Sequence, residues 1–349
     1  MQYCQKVQSR RYSIFGALPA LMTLMPSKTE LAQLPTPLQP LDRLSELHGG
    51  PRIWIKRDDL TGCASSGNKV RKLEFILTDV LDKQRDIIIT CGGVQSNHCR
   101  TTAVLGAQLD LKIHLLLRLD SAADNSGNLF LSKLTGAEIT YLDKAEYKRL
   151  NEHAEGWLKY YSDGGHKPYF IPTGGSDSLG IWGYIDALAE LVVDFEQHRI
   201  TPGAIIHATG SGGTQTGLLL GCHLHSIDSQ IVGFAVCDDE AYFKKKIRSE
   251  IDSWLRLNKL MESAELPEIQ VIDKYKGPRY GVCPPEVYDL IKTLAQLEGI
   301  ILDPVYTGKA FYGMLKEIEL GRFDSMSDIV FIHTGGLFGL FAQSDSVLS

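Results

Sequence analysis

The sequence predicts an α/β protein whose mostly parallel sheets are covered on both faces by helices. Short apolar runs rich in β-branched residues alternate along the chain with longer segments whose apolar residues recur at helical spacing. Many of the 33 glycines follow these strand-like runs, and such loops lie where parallel sheets bind their ligands. With 349 residues, the chain can form one large domain or two medium ones.

The predicted elements follow one another from residue 34 onwards, after an extended lead-in at residues 34–38 whose prolines disfavour a helix. Strands are predicted at residues 53–56, 87–91, 112–117, 138–141, 168–171, 204–208, 231–236, 268–272 and 329–333. Helices are predicted at residues 71–83, 101–109, 127–134, 144–161, 182–198, 214–224, 240–259 and 284–298, and after Tyr306. No apolar run reaches the ~18 residues that a membrane span needs.

Composition and charge exclude several classes of protein. The net charge of -6 argues against nucleic acid as the main partner. The seven cysteines are scattered without CxxC spacing, so neither a disulfide framework nor a zinc site is predicted, and a reducing compartment is favoured. The adjacent Asp238 and Asp239 are interpreted as the start of a helix rather than as metal ligands. We therefore expect no metal.

The N-terminal segment allows two interpretations. Its basic residues precede the first acid, Glu30, and they are Lys6, Arg10, Arg11 and Lys28. This pattern is typical of a mitochondrial transit peptide. Alternatively, the chain has an over-long N-terminus, with Met22 or Met25 as the natural start. The second interpretation is preferred, so a cytoplasmic protein is predicted, with a mitochondrial one as the alternative.

Residues 66–74 read Ser-Gly-Asn-Lys-Val-Arg-Lys-Leu-Glu and are the most informative stretch of the chain. A Ser/Gly turn delivers Lys69 to the start of an amphipathic segment. The nearby cations Arg71 and Lys72 disfavour an ammonium group, so we expect a lowered pKa for Lys69. A free amine can form a Schiff base with an aldehyde cofactor.

A glycine-rich loop between a predicted strand and a predicted helix is suited to a phosphate group. Its residues are Thr209, Gly210, Ser211, Gly212, Gly213 and Thr214. Backbone N–H groups and a helix N-terminus attract anions. The loop has neither the lysine of a P-loop nor the glycine spacing of a dinucleotide fingerprint. Considered alone, it is as well interpreted as a tight turn.

Several other polar residues are candidates for a site, each with a structural alternative. Ser96 can cap the helix that follows it, near a substrate carboxylate. His98 is either a site residue or a buried histidine of structural importance. Tyr280 and Tyr306 are either acid–base groups or packed aromatic residues. Thr334, after the last strand, either contacts a nitrogen in the ring of a bound cofactor or caps a helix.

Together these segments resemble the pyridoxal-phosphate enzymes of the tryptophan-synthase β-like fold, or fold type II. Within them, the sequence resembles the D-cysteine desulfhydrase and 1-aminocyclopropane-1-carboxylate deaminase family, above all its plant-type desulfhydrases. The resemblance extends from about Leu34 to about Ala342. It is carried by residues 67–74, 95–98, 174–176, 210–214, 303–306 and 333–336.

The resemblance implies two three-layer α/β/α domains with twisted, mostly parallel sheets. Residues 34–71 and 182–349 would form the large cofactor-binding domain, and residues 72–181 the small one, with the active site between them. Residues 1–33 would be an extension, either a targeting segment or disordered. The resemblance also implies a homodimer.

The resemblance also implies roles for particular residues. Lys69 would form the Schiff base with pyridoxal 5'-phosphate, and residues 209–214 would hold the phosphate. Asn97 would contact the ring hydroxyl and Thr334 the ring nitrogen. The substrate site would be lined by Ser96, Asn97, His98, Tyr280, Tyr306 and Thr307. Lys72 would be either a supporting cation or a solvated surface lysine.

The implied reaction converts D-cysteine, a small amino acid substrate, to pyruvate, ammonia and hydrogen sulfide. Lys69 would remove the α-proton, and Tyr280 or Tyr306 would give a proton to the leaving thiolate. The deaminase pattern has a glutamate where this chain has Thr307, which favours the desulfhydrase. The alternatives are 1-aminocyclopropane-1-carboxylate deamination, elimination from L-cysteate, and a catalytically silent cofactor-binding protein.

Overall fold

The computed structural model describes residues 24–119, 125–260 and 267–348. The strands among these residues are β1 (Leu38–Pro40), β2 (Arg52–Lys56), β3 (Ile87–Gly93), β4 (Lys112–Arg118), β5 (Glu138–Leu142), β6 (Pro168–Ile171), β7 (Ala204–Thr209), β8 (Gln230–Ala235), β9 (Gln270–Ile272) and β10 (Asp328–Ile332). They form a six-stranded sheet in the order β1-β2-β10-β7-β8-β9 and a four-stranded sheet in the order β5-β4-β3-β6.

The helices alternate with the strands along the chain. They are α1 (Asp42–His48), α2 (Asn68–Asp82), α3 (Asn97–Gln108), α4 (Gly127–Leu134), α5 (Lys144–Tyr147), α6 (Leu150–Asp163), α7 (Trp182–His198), α8 (Gly213–His225), α9 (Glu240–Leu257), α10 (Pro285–Glu298), α11 (Thr307–Glu319), α12 (Leu337–Phe341) and α13 (Ser344–Leu348). Short 3-10 helices span Asp58–Leu60 and Thr173–Gly175.

Both sheets have the parallel pairing that the alternation of elements predicts. β1 pairs antiparallel with β2, and every other pair of neighbouring strands is parallel. Parallel strands are buried on both faces. On β7, Ile205 therefore packs into the core under α7, α8 and α9, while Ile206 packs into the core under α1, α10 and α11. The predicted α/β fold with mostly parallel sheets is confirmed.

The structure differs from the predicted elements at several places. α2 begins at Asn68 rather than at residue 71, which places Lys69 in its first turn. The helix predicted over residues 144–161 is two helices, because Arg149 between them has non-helical angles. α1 was not predicted, since a seven-residue helix with one buried residue, Leu44, has no apolar periodicity.

Residues 28–32 belong to the folded body, whereas the sequence analysis assigned them to an extension. The Lys28 ammonium lies 3.1 Å from the Glu74 carboxylate and 2.8 Å from that of Asp186. The backbone N–H groups of Leu31 and Ala32 both donate to Glu74. Residues 1–23, on which the targeting prediction mainly depends, lie outside the described residues.

The predicted domain boundary between residues 71 and 72 falls inside α2, which is one continuous helix. A helix held by its own hydrogen bonds is a poor place for a boundary, so we propose that the small domain begins at Asn68. The strands of the four-stranded sheet lie between Ile87 and Ile171. They therefore all fall within the small domain.

Three further features concern only the described parts of the chain. No helix there is long and apolar enough to cross a membrane. No group of three or more metal-ligating side chains comes together. The six cysteines described are all free thiols.

The predicted helix start after Asp238 is confirmed, because the Asp239 carboxylate accepts a hydrogen bond from the Tyr242 N–H and caps α9.

Candidate active site

A cavity of about 680 Å³ opens at the carboxyl ends of strands from both sheets. In α/β proteins this edge is the usual place for a ligand. Most of the residues predicted from the sequence line this one cavity. They are Lys69, Ser96, Asn97, His98, Thr209, Gly210, Ser211, Gly212, Thr214, Tyr280, Tyr306 and Thr334.

A close approach of two backbone segments positions Lys69. A Cβ atom on Gly67 would lie 2.7 Å from the Thr334 carbonyl oxygen, and one on Gly335 would lie 2.8 Å from the Gly67 Cα. Both glycines also have positive φ values, 106° and 94°, which favour glycine. The Asn68 N–H donates to the Thr334 carbonyl oxygen at 3.1 Å. The first turn of α2 is thereby docked against the end of β10.

Burial, rather than neighbouring charge, lowers the pKa of Lys69 to about 8. The sequence analysis ascribed the lowered pKa to Arg71 and Lys72. Arg71 points away and pairs with Asp58 and Glu190. Lys72 does lie beside the site, and burial followed by the charge of Lys69 lowers its own pKa well below the usual value.

This lowered pKa predicts how quickly the cofactor-free protein takes up an aldehyde cofactor. The neutral amine is the nucleophile, so the rate constant for covalent incorporation should rise with pH and level off above about pH 8. A rate that keeps rising towards pH 10.5, the ordinary value for lysine, would contradict the assignment. Stopped-flow absorbance measures this rate, with Nα-acetyl-lysine as the control amine.

The glycine-rich loop lies next to Lys69. A Cβ atom on Gly174 would be 3.5 Å from the Lys69 Nζ and 2.6 Å from the Ser211 Oγ, so one point in the cavity adjoins both groups. The Ser211 hydroxyl also contacts that of Ser176 at 2.8 Å. The amine and the predicted anion site therefore belong to one pocket.

Lys72 is fully buried beside the same loop, so the surface alternative is wrong. Its Nζ donates to the Ser176 hydroxyl at 3.2 Å and faces the Gly174 carbonyl at 3.4 Å, both neutral groups. A Cβ atom on Gly213 would lie 2.9 Å from this Nζ. A buried lysine amine with neutral hydrogen-bond partners at a helix N-terminus fits the phosphate of pyridoxal phosphate, because a bound anion would favour its protonated form.

Ser96 and His98 are held by hydrogen bonds at the start of α3. The predicted cap is confirmed, since the Ser96 Oγ accepts from the Cys99 N–H at 3.2 Å. The Thr90 hydroxyl donates to the Ile171 carbonyl, so it accepts from the His98 Nε2–H. Burial, then the charges of Lys69 and Lys72, lowers the pKa of His98 well below its usual value. His98 is therefore neutral.

Tyr280 and Tyr306 form a hydrogen-bonded pair of phenols in the cavity, with 2.5 Å between their oxygens. Burial raises the pKa of Tyr280 to about 12, and the hydrogen bond from Tyr306 partly offsets this rise. Burial and Tyr280 together raise the pKa of Tyr306 further. Both phenols therefore keep their protons near neutral pH, as a proton donor must.

A buried lysine of α11 holds the loop that carries Tyr280. The Lys309 Nζ donates to the carbonyl oxygens of Lys276 at 2.6 Å, Arg279 at 3.1 Å and Val236 at 3.3 Å. Replacing Lys309 with methionine removes all three donors at similar volume. We expect a loss of about 1–3 kcal/mol in the free energy of unfolding and slower turnover, because Tyr280 is no longer held.

The matched control is Lys316→Met on the same helix. Lys316 is exposed and pairs with Glu319, so its loss should cost at most about 1 kcal/mol. Urea denaturation, turnover and cofactor absorbance of both variants provide the measurement. If Lys309→Met behaves like the control, the loop does not depend on this ammonium.

Two predicted residues do not line the cavity. The Thr307 hydroxyl donates to the Asp303 carboxylate at 2.7 Å and accepts from the Asp303 N–H at 2.9 Å. These bonds turn the fully buried Thr307 side chain away, so the predicted contact with substrate is wrong. Gly213 is the first residue of α8, and a Cβ atom on it would lie 2.7 Å from the Ser176 Oγ. Its role as a phosphate donor stays a prediction.

Sequence reasoning missed several lining residues, among them Arg118, Tyr147 and His207. Arg118 ends β4, and its guanidinium lies 5.6 Å from the Tyr147 ring and 5.9 Å from the Tyr280 ring. The available signal was position, since the ends of neighbouring parallel strands share one edge. His207 lies in the interior of β7 rather than at its end, so its position in the sequence gave no such signal.

A lysine of lowered pKa, an anion-binding loop and a second buried lysine at one strand edge define a class of protein. It is an enzyme whose cofactor is an aldehyde that carries a phosphate group. Comparison with known proteins agrees, because the model of the family described as "Pyridoxal-phosphate dependent enzyme" matches residues 29–335. The chain belongs to this family, and its cofactor is pyridoxal 5'-phosphate.

The chain is similar to two curated relatives over nearly its whole length. It is 40% identical over 341 residues to the bifunctional D-cysteine desulfhydrase/1-aminocyclopropane-1-carboxylate deaminase, mitochondrial, of Arabidopsis thaliana, covering 93% of this chain and 82% of that protein. It is 42% identical over 322 residues to a putative 1-aminocyclopropane-1-carboxylate deaminase of Thermotoga maritima, covering 91% and 98%. This chain is thus a pyridoxal-phosphate dependent lyase.

Solved structures confirm the fold. A structure described as an ACC deaminase homologue has a TM-score of 0.87 and 36% sequence identity, covering 95% of this chain and 99% of that one. The processed form of threonine deaminase isoform 2 from Solanum lycopersicum has a TM-score of 0.64 at 16% identity, covering 95% and 85%. The second likeness concerns the fold alone. Fold type II and the predicted family are confirmed.

Proposed function

We propose that this lyase eliminates the thiol of D-cysteine and releases pyruvate, ammonia and hydrogen sulfide. The observation that carries the proposal is the phenol pair of Tyr280 and Tyr306 in the cavity of Lys69. The pair supplies an acid in the same cavity as the amine that would accept the α-proton. The Arabidopsis relative, whose name includes D-cysteine desulfhydrase, supports this choice.

The residues divide the chemistry among them in this proposal. Pyridoxal phosphate supplies an electron-withdrawing ring that stabilises negative charge on the substrate α-carbon. Lys69 holds the cofactor and, once displaced by the substrate amine, accepts the α-proton at its Nζ. Tyr280 or Tyr306 gives a proton to the leaving sulfur. General acid–base help of this kind is worth about 10² to 10⁴-fold.

Other residues bind and orient in the same proposal. The N–H groups of residues 209–214 and the Lys72 ammonium hold the phosphate. Ser96 and the N-terminus of α3 donate hydrogen bonds to the substrate carboxylate. Asn97 and His98 lie beside them. Thr334 places a neutral hydroxyl at the ring nitrogen. A neutral partner leaves this nitrogen unprotonated, which suits an elimination that needs only a short-lived carbanion.

The second candidate is 1-aminocyclopropane-1-carboxylate deamination, which the name of the Thermotoga relative favours. Ring opening requires a well-placed proton donor and acceptor. Thr307 supplies no carboxylate, and its hydroxyl is turned towards Asp303. Among the described lining residues the carboxylate is Asp238, which is exposed. This lack of a buried acid favours the thiol elimination.

A substrate panel tests the proposal. Purified protein loaded with cofactor is given D-cysteine, L-cysteine, L-cysteate and 1-aminocyclopropane-1-carboxylate, and pyruvate or 2-oxobutyrate is measured with sulfide and ammonia. We expect D-cysteine to give the largest kcat/KM. A larger value for the cyclopropane substrate assigns the deaminase, and cofactor absorbance without any product assigns a silent binding protein.

We also propose a homodimer in the cytoplasm, as expected from the family resemblance and from the free thiols. Sedimentation equilibrium tests the assembly, with a mass near twice the 38.7 kDa of one chain expected. Fractionation of cells that make the full chain tests the compartment. Recovery of a shortened chain from mitochondria would support the alternative.

A further inference from the structure

Arg100 on α3 is a buried cation whose partners are all neutral acceptors. Its guanidinium donates to the carbonyl oxygens of Ala64 at 2.6 Å and Ser66 at 3.1 Å, and to the Asn128 Oδ1 at 3.1 Å. The side chain is fully buried, and burial lowers its pKa to about 9. A guanidinium only donates hydrogen bonds, so any group that faces it presents an acceptor.

This constraint sets the orientation of the Asn128 amide. Because its Oδ1 faces Arg100, its Nδ2 lies on the other side and donates to the Gln95 carbonyl at 3.0 Å and to the Asn97 Oδ1 at 3.0 Å. A backbone carbonyl only accepts, so Gln95 is a second and independent constraint in the same direction. Neither neighbour allows the amide to turn over.

The orientation of the Asn128 amide determines that of Asn97, which lines the cavity together with Lys69. Its Oδ1 is occupied by Asn128, so its Nδ2 is the polar atom left over. Among the described residues, this Nδ2 has no hydrogen-bond partner. Asn97 therefore presents a donor to whatever occupies the cavity.

We propose that Arg100 and Asn128 are positioning residues, which orient Asn97 so that it donates a hydrogen bond to the anionic ring oxygen of pyridoxal phosphate. The inference rests on the use of this cofactor at Lys69. The same guanidinium holds residues 64–66, the turn that leads into α2. Arg100 thus helps to fix both the position of Lys69 and the orientation of the Asn97 amide.

The test reverses the orientation of the Asn97 amide through a substitution at Asn128 that keeps the size and shape of the side chain. In Asn128→Asp, a carboxylate accepts from Arg100 and can no longer donate to Asn97. The Asn97 amide then turns its Nδ2 towards the new carboxylate and its carbonyl towards the cavity. The new charge lies beside a buried arginine, and this attraction offsets the hydrogen bond that the Gln95 carbonyl loses. The loss of a hydrogen bond to an anion should weaken cofactor binding about ten- to a hundred-fold.

Two further variants separate polarity from packing. Asn97→Asp removes the donor directly and should give the same change in the spectrum of the bound cofactor. Asn128→Ala frees the Asn97 amide to take either orientation, so its effect should lie between those of wild type and Asn128→Asp. A merely structural role predicts the reverse order, because alanine leaves a void and unpaired groups. Asn258→Asp, at the end of α9, is the control for the amide-to-acid change.

The measurements are the dissociation constant of pyridoxal phosphate from the cofactor-free protein and the absorption of the bound form against pH. We expect Asn128→Asp and Asn97→Asp to shift absorption towards shorter wavelength, as the ring oxygen takes up a proton. An unchanged spectrum in Asn128→Asp, or a larger effect in Asn128→Ala, overturns the inference. Wild-type protein that binds no cofactor instead overturns the proposed function.

Discussion

Replacing Lys69 with alanine is expected to abolish turnover and to remove the absorbance of covalently bound cofactor. In the proposed function, the side chain supplies both the amine that holds the cofactor and the base that accepts the α-proton. Loss of a general base alone costs about 10² to 10⁴-fold. Spectra and sulfide release from D-cysteine measure the two effects, and we expect no detectable turnover.

The control for this variant is Lys83→Ala at the other end of α2. Lys83 is exposed and pairs with Asp79, so its removal should leave absorbance and rate unchanged. The phosphate site is intact in Lys69→Ala, so cofactor should still bind, but reversibly by dialysis. Appreciable sulfide release by this variant would mean that another group acts as the base.

Replacing Arg71 with methionine is expected to cause the largest loss of stability, about 3–5 kcal/mol. Arg71 is fully buried and makes two bonds to Asp58, at 2.7 Å and 2.9 Å, and two to Glu190, both at 3.1 Å. Lys56 lies 2.6 Å from Glu190 in the same cluster. Removing the arginine leaves carboxylates buried with too little positive charge, and urea denaturation measures the cost.

The matched control is Arg52→Met, which breaks an exposed pair with Asp42 and should cost at most about 1 kcal/mol. The pH dependence gives a second test. Burial alone would raise the pKa of Glu190, but Arg71 and Lys56 overcome it and hold the pKa far below its usual 4.5. Its stabilisation is therefore present above about pH 4.5 and is lost as pH falls further.

The difference between wild type and Arg71→Met should accordingly shrink in acid, because Glu190 takes up a proton in the unfolded state while it stays ionised in the native wild type. A difference that stays constant from pH 7 to pH 3 would indicate that Arg71 stabilises by packing rather than by charge. The cofactor-free form is the better sample, because bound ligand adds its own stabilisation to any measured midpoint.

Local sequence predicts a feature well when the feature depends on neighbouring residues. The glycine-rich loop is a strand, a turn and a helix start in one stretch, and Ser96 caps a helix that begins at the next residue. Such geometry follows from backbone sterics and from unpaired N–H groups at helix ends. Lys69 was identified for the same reason, as a lysine in the first turn after a glycine.

Features that depend on distant residues were predicted less well. Lys72 was left undecided because its burial results from residues 174–176, about a hundred positions away. Arg71 was assigned an influence on Lys69, but its side chain pairs with carboxylates on other elements. Thr307 was assigned to the substrate site through the family resemblance, whereas bonds to Asp303 turn its side chain away from the cavity.

The sequence by itself determined the alternation of strands and helices, the amine-bearing helix start, the anion-binding loop and, through its resemblance, the family. The tertiary structure decided the partners of the buried basic side chains. Arg71 pairs with Asp58 and Glu190, Lys72 bonds to Ser176 beside the glycine-rich loop, and Arg100 bonds to Asn128, which in turn bonds to Asn97. The physical reason is that backbone geometry is governed by neighbours in sequence. The environment of a buried charge is instead set by whichever segments the fold packs around it.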